Sequence, residues 1–418
     1  QHIIVAVFGD ANHKAIDFTA TMGMDAKRYG TRDRRDLFDV ANRVIKSKLL
    51  INDVYTTIAK LRKGKLLNWL CKQSLKGELL PVADVVEEHK VRGFTHCGLV
   101  MQIVMRMVLM DALQYLEGDI NSPLMSEFSP HNYTVLDLYN IMHSHPGKYN
   151  WIGIDKSKND TTLPNFAGYI LFFMLNNEWF HYARNSPDYL LLRGCCMMVH
   201  MCWLVRGFNV VIRLTGLDSG VLVTCTVNGV GGYSIDLFSF FLIYPEKDYT
   251  EFVRTKHGGD DCMKTVSHQC PLYNNLSLQF CARQFFGMIY TAPDKGELKE
   301  YDNEEDIVFL QRKFNRVEGV LAFALNKDSI VGCLNYVHKN EPQEILASNC
   351  RTALHEAVYH GEEYFEELRN ALIKCRGEAH FTGLELGTWR YYHRRWLSQY
   401  LHSTRAINDE VHIGGDEL

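Results

Sequence analysis

Apolar residues recur along the chain at spacings that separate helices from strands. A helical period of about 3.6 residues is clearest at 352–374. It predicts helices over residues 34–66, 96–116, 165–184, 219–232, 276–286 and 342–404. Apolar runs of strand length predict strands at 151–155, 252–256 and 262–266, and a strand-turn element at 307–314. Helices and strands therefore share one α/β chain in the broad α+β sense.

Two further apolar runs raise the question of a membrane segment. Residues 233–244 are too few to span a bilayer and predict a core helix. The run 189–205 is short and is interrupted by Arg193 and His200, which favours a buried helix. We therefore expect no transmembrane segment, and the tail from Ala406 should be frayed.

Composition supports a globular protein with two or three domains around a large shared core. The chain has 418 residues, of which 46% are hydrophobic. No repetitive or Gly/Ser-rich stretch indicates a flexible linker. The 12 cysteines include no C-x2-C pair, and no signal-peptide pattern is present, so we expect reduced thiols in a cytosolic protein.

Charge is distributed unevenly. The net charge is −4, which argues mildly against a nucleic-acid-binding protein. Basic residues are nevertheless in excess over residues 1–110 and are concentrated between Lys27 and Lys65. Such a segment is commonly a solvated helix face, but it could also line a channel for a polyanion.

The segment Gly258-Gly259-Asp260-Asp261 carries the strongest chemical signal. Adjacent carboxylates repel each other, whereas a pair of divalent cations needs several oxygen ligands. Such a pair in a loop is more often a solvated turn, so the segment alone is a moderate signal. A second source of carboxylates lies upstream, where the strand at 151–155 ends in Asp155 and Asp160 follows. Asp160 could instead cap the next helix, and the two roles are compatible.

Two other segments have simple structural explanations of their own. Ser219-Gly220 opens a helical stretch in which Thr224 and Asn228 share one face, which suits either recognition of a sugar hydroxyl or buried polar packing. In the segment 309–314, apolar residues lie on both sides of the basic pair Arg312-Lys313. Alone, this pattern is typical of an amphipathic strand or turn.

The order and spacing of these segments give a more specific interpretation. Four of these segments resemble motifs A, B, C and E of the viral RNA-dependent RNA polymerases, especially those of the picornavirus-like group, which includes the dicistroviruses and iflaviruses. The patterns are D-x4-D for motif A, S-G-x3-T-x3-N for motif B, G-D-D for motif C and F-L-x-R for motif E. Lys76-Gly-Glu78 with Lys90-Val-Arg92 resembles motif F, and the segment 287–295, ending in Lys295, resembles motif D. Each motif is weak alone, but six in the family's order are a strong signal.

The resemblance implies a right-hand fold with fingers, an RRM-like antiparallel palm sheet and a helical thumb. The implied divisions are fingers at 1–110, palm at 111–166, a fingers insertion at 167–212, palm at 213–314 and thumb at 315–418. Family members usually carry more chain before motif F. The sequence is therefore expected to be a processed product, a truncated chain or a member with short fingertips.

The resemblance also implies residue roles. Asp155, Asp260 and Asp261 would bind Mg²⁺, with Mn²⁺ as a substitute, and Lys295 would protonate the pyrophosphate. Phosphates would meet Lys76, Lys90 and Arg92, and the primer would meet Arg312 and Lys313. The ribose would be surrounded by Asp160, Ser219, Gly220, Thr224 and Asn228. Expected partners are template and primer RNA, NTPs and other viral replication proteins, in replication complexes of the host cytoplasm.

Several positions depart from the family pattern, and alternatives remain open. Asn159 replaces an aromatic residue, Gly258 replaces the tyrosine before Gly-Asp-Asp, and Asp218 stands where proline is common. A polymerase-like protein that binds RNA or proteins without turnover is one alternative. The other is a nucleotidyl cyclase with a Gly-Gly-Asp-Asp turn, although such enzymes lack the Ser-Gly to Asn helix and the Lys90/Arg92 segment.

Overall fold

The fold is described from a computed structural model. It covers residues 2–20, 22, 25–67, 69–75, 86–87, 93–125, 129–132, 134–157, 159–206, 209–217, 222–293, 296–335, 342–378 and 386–400. The helices are α1 Ile3–Phe8, α2 Ala26–Tyr29, α3 Lys48–Leu61, α4 Leu99–Gly118, α5 Thr134–Met142, α6 Asn159–Thr162, α7 Phe166–Leu175, α8 Pro187–Met197, α9 Thr224–Ile243, α10 Tyr249–Phe252, α11 Asn275–Phe286, α12 Lys327–Gly332, α13 Pro342–Ala357, α14 Glu362–Glu378 and α15 at 389–400. The strands are β1 Phe38–Asp39, β2 Val44–Ile45, β3 Trp69–Leu75, β4 Gly93–His96, β5 Tyr149–Ser157, β6 Cys202–Arg206, β7 Asn209–Arg213, β8 Val253–Gly258, β9 Asp261–Ser267, β10 Ile289–Thr291, β11 Arg312–Val317 and β12 Val320–Leu325.

A four-stranded antiparallel sheet lies at the centre of the molecule, in the order β10-β5-β9-β8. Its strands are largely buried because helices cover it. Helix α9 packs against β8, α7 and α11. The predicted strands at 151–155, 252–256 and 262–266 are confirmed, and each is longer than predicted.

A second sheet has the order β4-β3-β6-β7, in which β3 and β6 run parallel. The sequence pattern did not reveal these strands. The run 189–205 was interpreted as one buried helix, but α8 ends at Met197, a 3-10 turn covers Met198–His200, and β6 begins at Cys202. The interpretation was wrong there because an apolar run of that length fits a helix followed by a strand equally well.

Residues 34–66 also differ from the predicted continuous helix. A 3-10 turn at Arg34–Leu37 and the short hairpin β1-β2 precede α3, which begins only after Ser47. The Ser47 hydroxyl accepts from the Leu50 N–H at 3.2 Å and caps the helix. Conversely, the helices predicted at 219–232 and 233–244 meet in the single helix α9.

The C-terminal part has its own hydrophobic core. The hairpin β11-β12 and the helices α13 to α15 enclose Leu354, Tyr359, Phe365 and Trp396, all buried. A smaller cluster that includes Trp151, Phe309 and Phe323 joins the central sheet to this hairpin. The mostly helical character predicted for 342–404 is confirmed over the described residues.

Two helices, α4 and α9, are long and apolar enough, by length and composition alone, to cross a membrane. In each, 56% of the most apolar window is buried inside the protein. Core helices of globular proteins share these properties, so the finding is weak support for a membrane span. None of the 12 cysteines forms a disulfide in this structure.

Candidate active site

The central sheet brings two of the predicted carboxylates together. Strands β5 and β9 pair as far as Ile154 and Cys262, so Asp155 and Asp261 are the next residues at this end of the ladder. Strands β8 and β9 pair as far as Gly258 and Asp261. The connecting turn is thus only Gly259-Asp260, and the φ of Gly259 is +72°, a conformation that favours glycine.

Asp155 and Asp261 line a cavity of about 900 Å³. Its other walls come from the segment after β10 and from the hairpin β11-β12, with Lys313, Asn326 and Lys327 among the polar residues. Asp260 is exposed on the turn beside it. The end of the sheet therefore places carboxylates at a large polar opening.

Electrostatics at the turn favour a bound cation. Burial raises the pKa of Asp261, and the neighbouring Asp260 raises it further. The Leu310 N–H, which donates to Asp261 Oδ2 at 3.2 Å, and Lys156 oppose the shift. A carboxylate that burial and a second carboxylate make costly to ionise gains from a nearby cation, and oxygen ligands of this kind suit Mg²⁺.

A buried ion cluster that sequence reasoning missed lies behind the turn. Asp236 Oδ2 lies 2.9 Å from His257 Nε2 and 3.3 Å from Lys264 Nζ, and all three side chains are almost fully buried. Burial alone would raise the pKa of Asp236, but Lys264 and His257 hold it below its usual value. The available signal was a lone aspartate in the otherwise uncharged helix α9.

Lys156 extends this cluster toward the carboxylates. It follows Asp155 in β5, is 5% exposed, and its Nζ has no hydrogen-bond partner in the described part of the chain. A Cβ added at Gly232 would collide with that Nζ and lie 2.9 Å from His257 Nδ1. The glycine therefore lets α9 approach the sheet closely enough to enclose the lysine.

The predicted ribose-binding residues are only partly described. Thr224 is the first residue of α9 and Asn228 lies one turn later, 9% exposed. Asn228 Oδ1 accepts from Asn159 Nδ2 at 2.9 Å. Asp160 belongs to α6, which follows β5. Ser219 and Gly220 lie outside the described residues, as do Lys76, Lys90, Arg92 and Lys295.

Arg312 and Lys313, the basic pair in the segment that resembles motif E, have different environments. Arg312 donates to both carboxylate oxygens of the buried Glu356, each at 2.8 Å, and to the Phe323 carbonyl at 3.0 Å. Lys313 is exposed, lines the cavity, and donates to the Glu305 carbonyl at 2.8 Å. Of the two, only Lys313 lines the cavity.

The space at Gly258 explains one departure from the family pattern. A Cβ at this position would lie 2.8 Å from Leu310 Cδ2 and 3.0 Å from Phe309 Cζ. These two side chains fill the volume that a larger residue before Gly-Asp-Asp would need. The turn is therefore supported from the segment 309–310 in this chain.

A second group of potential ligands lies away from the cavity. Atoms of His131, His355 and Glu356 lie within 4.8 Å of one another, the one such group of three among the described residues. Glu356 is already paired with Arg312, and Arg351 and Arg395 line the same groove. This positive surrounding disfavours a divalent cation there.

Comparisons with known proteins show which family the sequence resembles over most of its length. The family described as viral RNA-dependent RNA polymerase matches residues 22–376. The chain is 32% identical over 332 residues to the genome polyprotein of Rice tungro spherical virus (strain A), covering 71% of this chain and 9% of that protein. It is 28% identical over 134 residues to the replicase polyprotein of Drosophila C virus (strain EB), covering 31% and 8%. The chain thus spans under a tenth of these relatives.

The fold matches a solved structure over nearly its whole length. The sicinivirus 3Dpol RNA-dependent RNA polymerase superposes with a TM-score of 0.78 and 18% identity, covering 96% of this chain and 81% of that one. At this identity the match concerns the fold. It agrees with the right-hand architecture expected from the sequence.

Proposed function

This chain belongs to the viral RNA-dependent RNA polymerase family, and we propose that it copies an RNA template into RNA during viral genome replication. The observation that carries the proposal is the placement of Asp155 beside Asp261 at the end of the central sheet, next to the Asp260 turn. Asp155 and Asp261 line a cavity large enough for a nucleotide and the end of a primer. The family match supplies the reaction class.

Asp155, Asp260 and Asp261 are the residues that would hold divalent cations. The donor set fits, because it offers carboxylate oxygens and because burial and the neighbouring Asp260 make ionised Asp261 costly without a counter-charge. When bound, a pair of Mg²⁺ ions, or Mn²⁺ as a substitute, would lower the pKa of the primer 3′-hydroxyl and neutralise the triphosphate. The chain's part is to fix the carboxylates on two strands and a two-residue turn.

The ribose would be recognised at the N-terminal end of α9 and around α6. Thr224 and Asn228 lie one turn apart in α9, and Asn228 is joined to Asn159 next to Asp160. Together with Ser219, Gly220 and Asp160, these residues would contact the 2′-hydroxyl. A site built to hydrogen-bond a hydroxyl rejects the sugar that lacks it, because its own polar groups are then unpaired.

Basic residues would bind the phosphates of the nucleotide and protonate the pyrophosphate that leaves. Lys76, Lys90 and Arg92 would contact the triphosphate, with the planar guanidinium suited to paired contacts. Lys295 would give its proton to the departing pyrophosphate. Lys313, which faces the cavity, would lie near the primer backbone, whereas Arg312 reaches Glu356.

We propose that the protein acts in replication complexes of the host cytoplasm with other viral replication proteins. The similarity to a polyprotein named as a replicase supports the role in replication. Fractionation of infected cells with an antibody to this chain would test it. Recovery of the chain without newly made viral RNA would count against the assignment.

A primer-extension assay tests the activity. Wild-type protein should extend an RNA primer on a homopolymer RNA template with Mg²⁺ or Mn²⁺. Asp260→Asn should abolish extension and keep the unfolding temperature, because it removes a charged ligand from an exposed turn. Glu246→Gln also replaces an exposed carboxylate by an amide and is the matched control. This variant should extend the primer at the wild-type rate.

Failure of the wild type to extend any primer, with RNA binding intact, would favour a polymerase-like RNA-binding protein. Extension by Asp260→Asn at the wild-type rate would instead contradict the metal assignment alone.

A further inference from the structure

Asn159 is a buried residue whose side chain reaches the proposed sugar site. It is the first residue of α6 and is 4% exposed. Its backbone carbonyl accepts from the Leu163 N–H at 3.0 Å, which closes a helical turn. Its Nδ2 donates to Oδ1 of Asn228 in α9 at 2.9 Å. One side-chain bond therefore joins the segment after Asp155 to the helix that carries Asn228.

This bond determines which end of the Asn228 amide remains for a ligand. An asparagine side chain has an acceptor oxygen and a donor nitrogen. The oxygen is used by Asn159, and the Asn228 Nδ2 has no hydrogen-bond partner in the described part of the chain. Asn228 keeps 9% of its surface accessible. The group it can offer to a nucleotide is therefore an N–H donor.

Packing alone does not account for an asparagine at position 159. Its Oδ1 is buried and has no hydrogen-bond partner among the described residues. A buried carbonyl oxygen without a partner costs free energy, and an apolar side chain of similar size would avoid that cost. The property that an apolar residue cannot supply is the donor aimed at Asn228.

We propose that Asn159 is a positioning residue for sugar specificity, holding Asn228 so that its Nδ2 faces O2′ of the incoming nucleotide. The inference rests on the proposed function. The 2′-hydroxyl would accept from Asn228 and keep its own hydrogen for a carboxylate, the residue type at position 160. The site would then prefer a 2′ substituent with a lone pair over a hydrogen atom.

The test exchanges the donor at position 159 for acceptors. In Asn159→Asp, Asn228 must turn its Nδ2 toward the new carboxylate and present Oδ1 to the sugar. We would measure kcat/KM for NTP, 2′-fluoro-2′-deoxy-NTP and dNTP. Fluorine carries lone pairs but donates nothing. The wild type should have a higher kcat/KM for the 2′-fluoro nucleotide than for dNTP. In the variant the ratio of these two kcat/KM values should fall about three- to tenfold, which corresponds to the free energy of one hydrogen bond.

Two variants and a control complete the design. Asn159→Leu removes the hydrogen bond to Asn228 without introducing a charge. It should also lower the ratio of kcat/KM for the 2′-fluoro nucleotide to that for dNTP, so the test stands even if the aspartate variant does not fold. Asn228→Ala should remove the 2′-fluoro preference. Asn121→Asp makes the same chemical change at an exposed position and should leave every ratio unchanged.

The outcomes separate the inference from the proposed function. Unchanged ratios in both Asn159 variants, with a lowered ratio in Asn228→Ala, would overturn the role of Asn159 and keep the ribose site. Unchanged ratios in Asn228→Ala would overturn the ribose site and the inference together. No RNA synthesis by the wild type would overturn the polymerase proposal itself.

Discussion

Gly258 shows how one residue couples the Gly259-Asp260 turn to a segment that is distant in the sequence. Its backbone continues β8, and Leu310 and Phe309 occupy the space beside its Cα. Leu310 also donates its backbone N–H to Asp261 Oδ2. The same short segment therefore packs under the turn and hydrogen-bonds one of its carboxylates.

We predict that Gly258→Ala destabilises the protein by about 1–3 kcal/mol, because the added methyl overpacks against Leu310. Urea unfolding would measure the change. Gly332→Ala is the matched control, because a Cβ there meets nothing within 4 Å, and its stability should not fall. Leu310→Ala in the Gly258→Ala background should recover part of the loss. A Gly258→Ala protein as stable as wild type would contradict the packing argument.

Lys295 stays a prediction from the motif order, since it lies outside the described residues. A lysine in Pro-Asp-Lys-Gly is commonly a solvated turn residue, so the test must separate the two roles. Lys295→Leu should slow single-turnover incorporation by about 10²–10⁴-fold with little change in nucleotide affinity. Lys295→His should recover part of the rate and make it more sensitive to pH, since imidazolium can also donate a proton.

The control for this series is Lys374→Leu, at an exposed position in α14. It should keep the wild-type rate. Leucine and histidine variants that both match wild type in single-turnover rate would identify Lys295 as a turn residue only.

At the scale of elements, the sequence predicted the hairpin of Asp260 and Asp261 because its cues are local. Two apolar runs flank a glycine-rich turn, and the strands form where the runs lie. Strands β3 and β6 were missed because they pair with each other across a long separation in the sequence. Trp69 in β3, for example, pairs with Cys202 in β6. Pairing over such a distance leaves no signal in a local window.

The same limit applies to the buried cluster behind the turn. Asp236, His257 and Lys264 come from a helix and two strands, and each looks like an isolated charge in the sequence. Burial lowers the pKa of His257 to about 4, although Asp236 opposes the shift. Lys264 keeps a raised pKa because Asp236 outweighs its burial. The cluster is therefore charged at Asp236 and Lys264 and neutral at His257.

This assignment predicts a pH dependence of stability. Below about pH 6.5 the unfolded chain protonates His257, whereas the folded protein resists protonation until about pH 4. The free energy of unfolding should fall as pH drops through that window, by about 3 kcal/mol from this residue. The contribution of Asp236, whose pKa lies below its usual 3.8, is lost only at lower pH.

Urea unfolding at several pH values would measure this loss. His257→Gln should flatten the dependence relative to wild type, because glutamine does not titrate. His268→Gln, the same exchange at an exposed histidine, should keep the wild-type slope. Equal slopes for wild type and His257→Gln would refute the assignment of His257 as a neutral buried imidazole.

At the scale of the whole molecule, the sequence anticipated the right-hand fold class. The divisions at 110, 166, 212 and 314 stay predictions, although one hydrophobic core lies wholly within residues 317–397. How the parts are held together could not be predicted. That depends on contacts such as Arg312 with Glu356, whose partners are 44 residues apart in the sequence.

This ion pair joins β11 to the helix α13 and gives the last prediction. The exposed fractions of the Arg312 and Glu356 side chains are 12% and 9%, so little solvent screens the pair. Removing one partner of a buried pair leaves a charge unpaired, so Arg312→Met should cost about 3 kcal/mol of unfolding free energy.

Lys313→Met is the matched comparison, because Lys313 is the next residue and is exposed at the cavity. It should change stability by less than about 0.5 kcal/mol but weaken binding to a primer–template duplex and reduce the salt dependence of that binding, since one phosphate contact is lost. Thermal unfolding and filter binding at several salt concentrations would separate the two effects. A stable Arg312→Met protein with weakened RNA binding would reverse the assignment, because the guanidinium would then serve the primer and the ion pair with Glu356 would not hold β11 to α13.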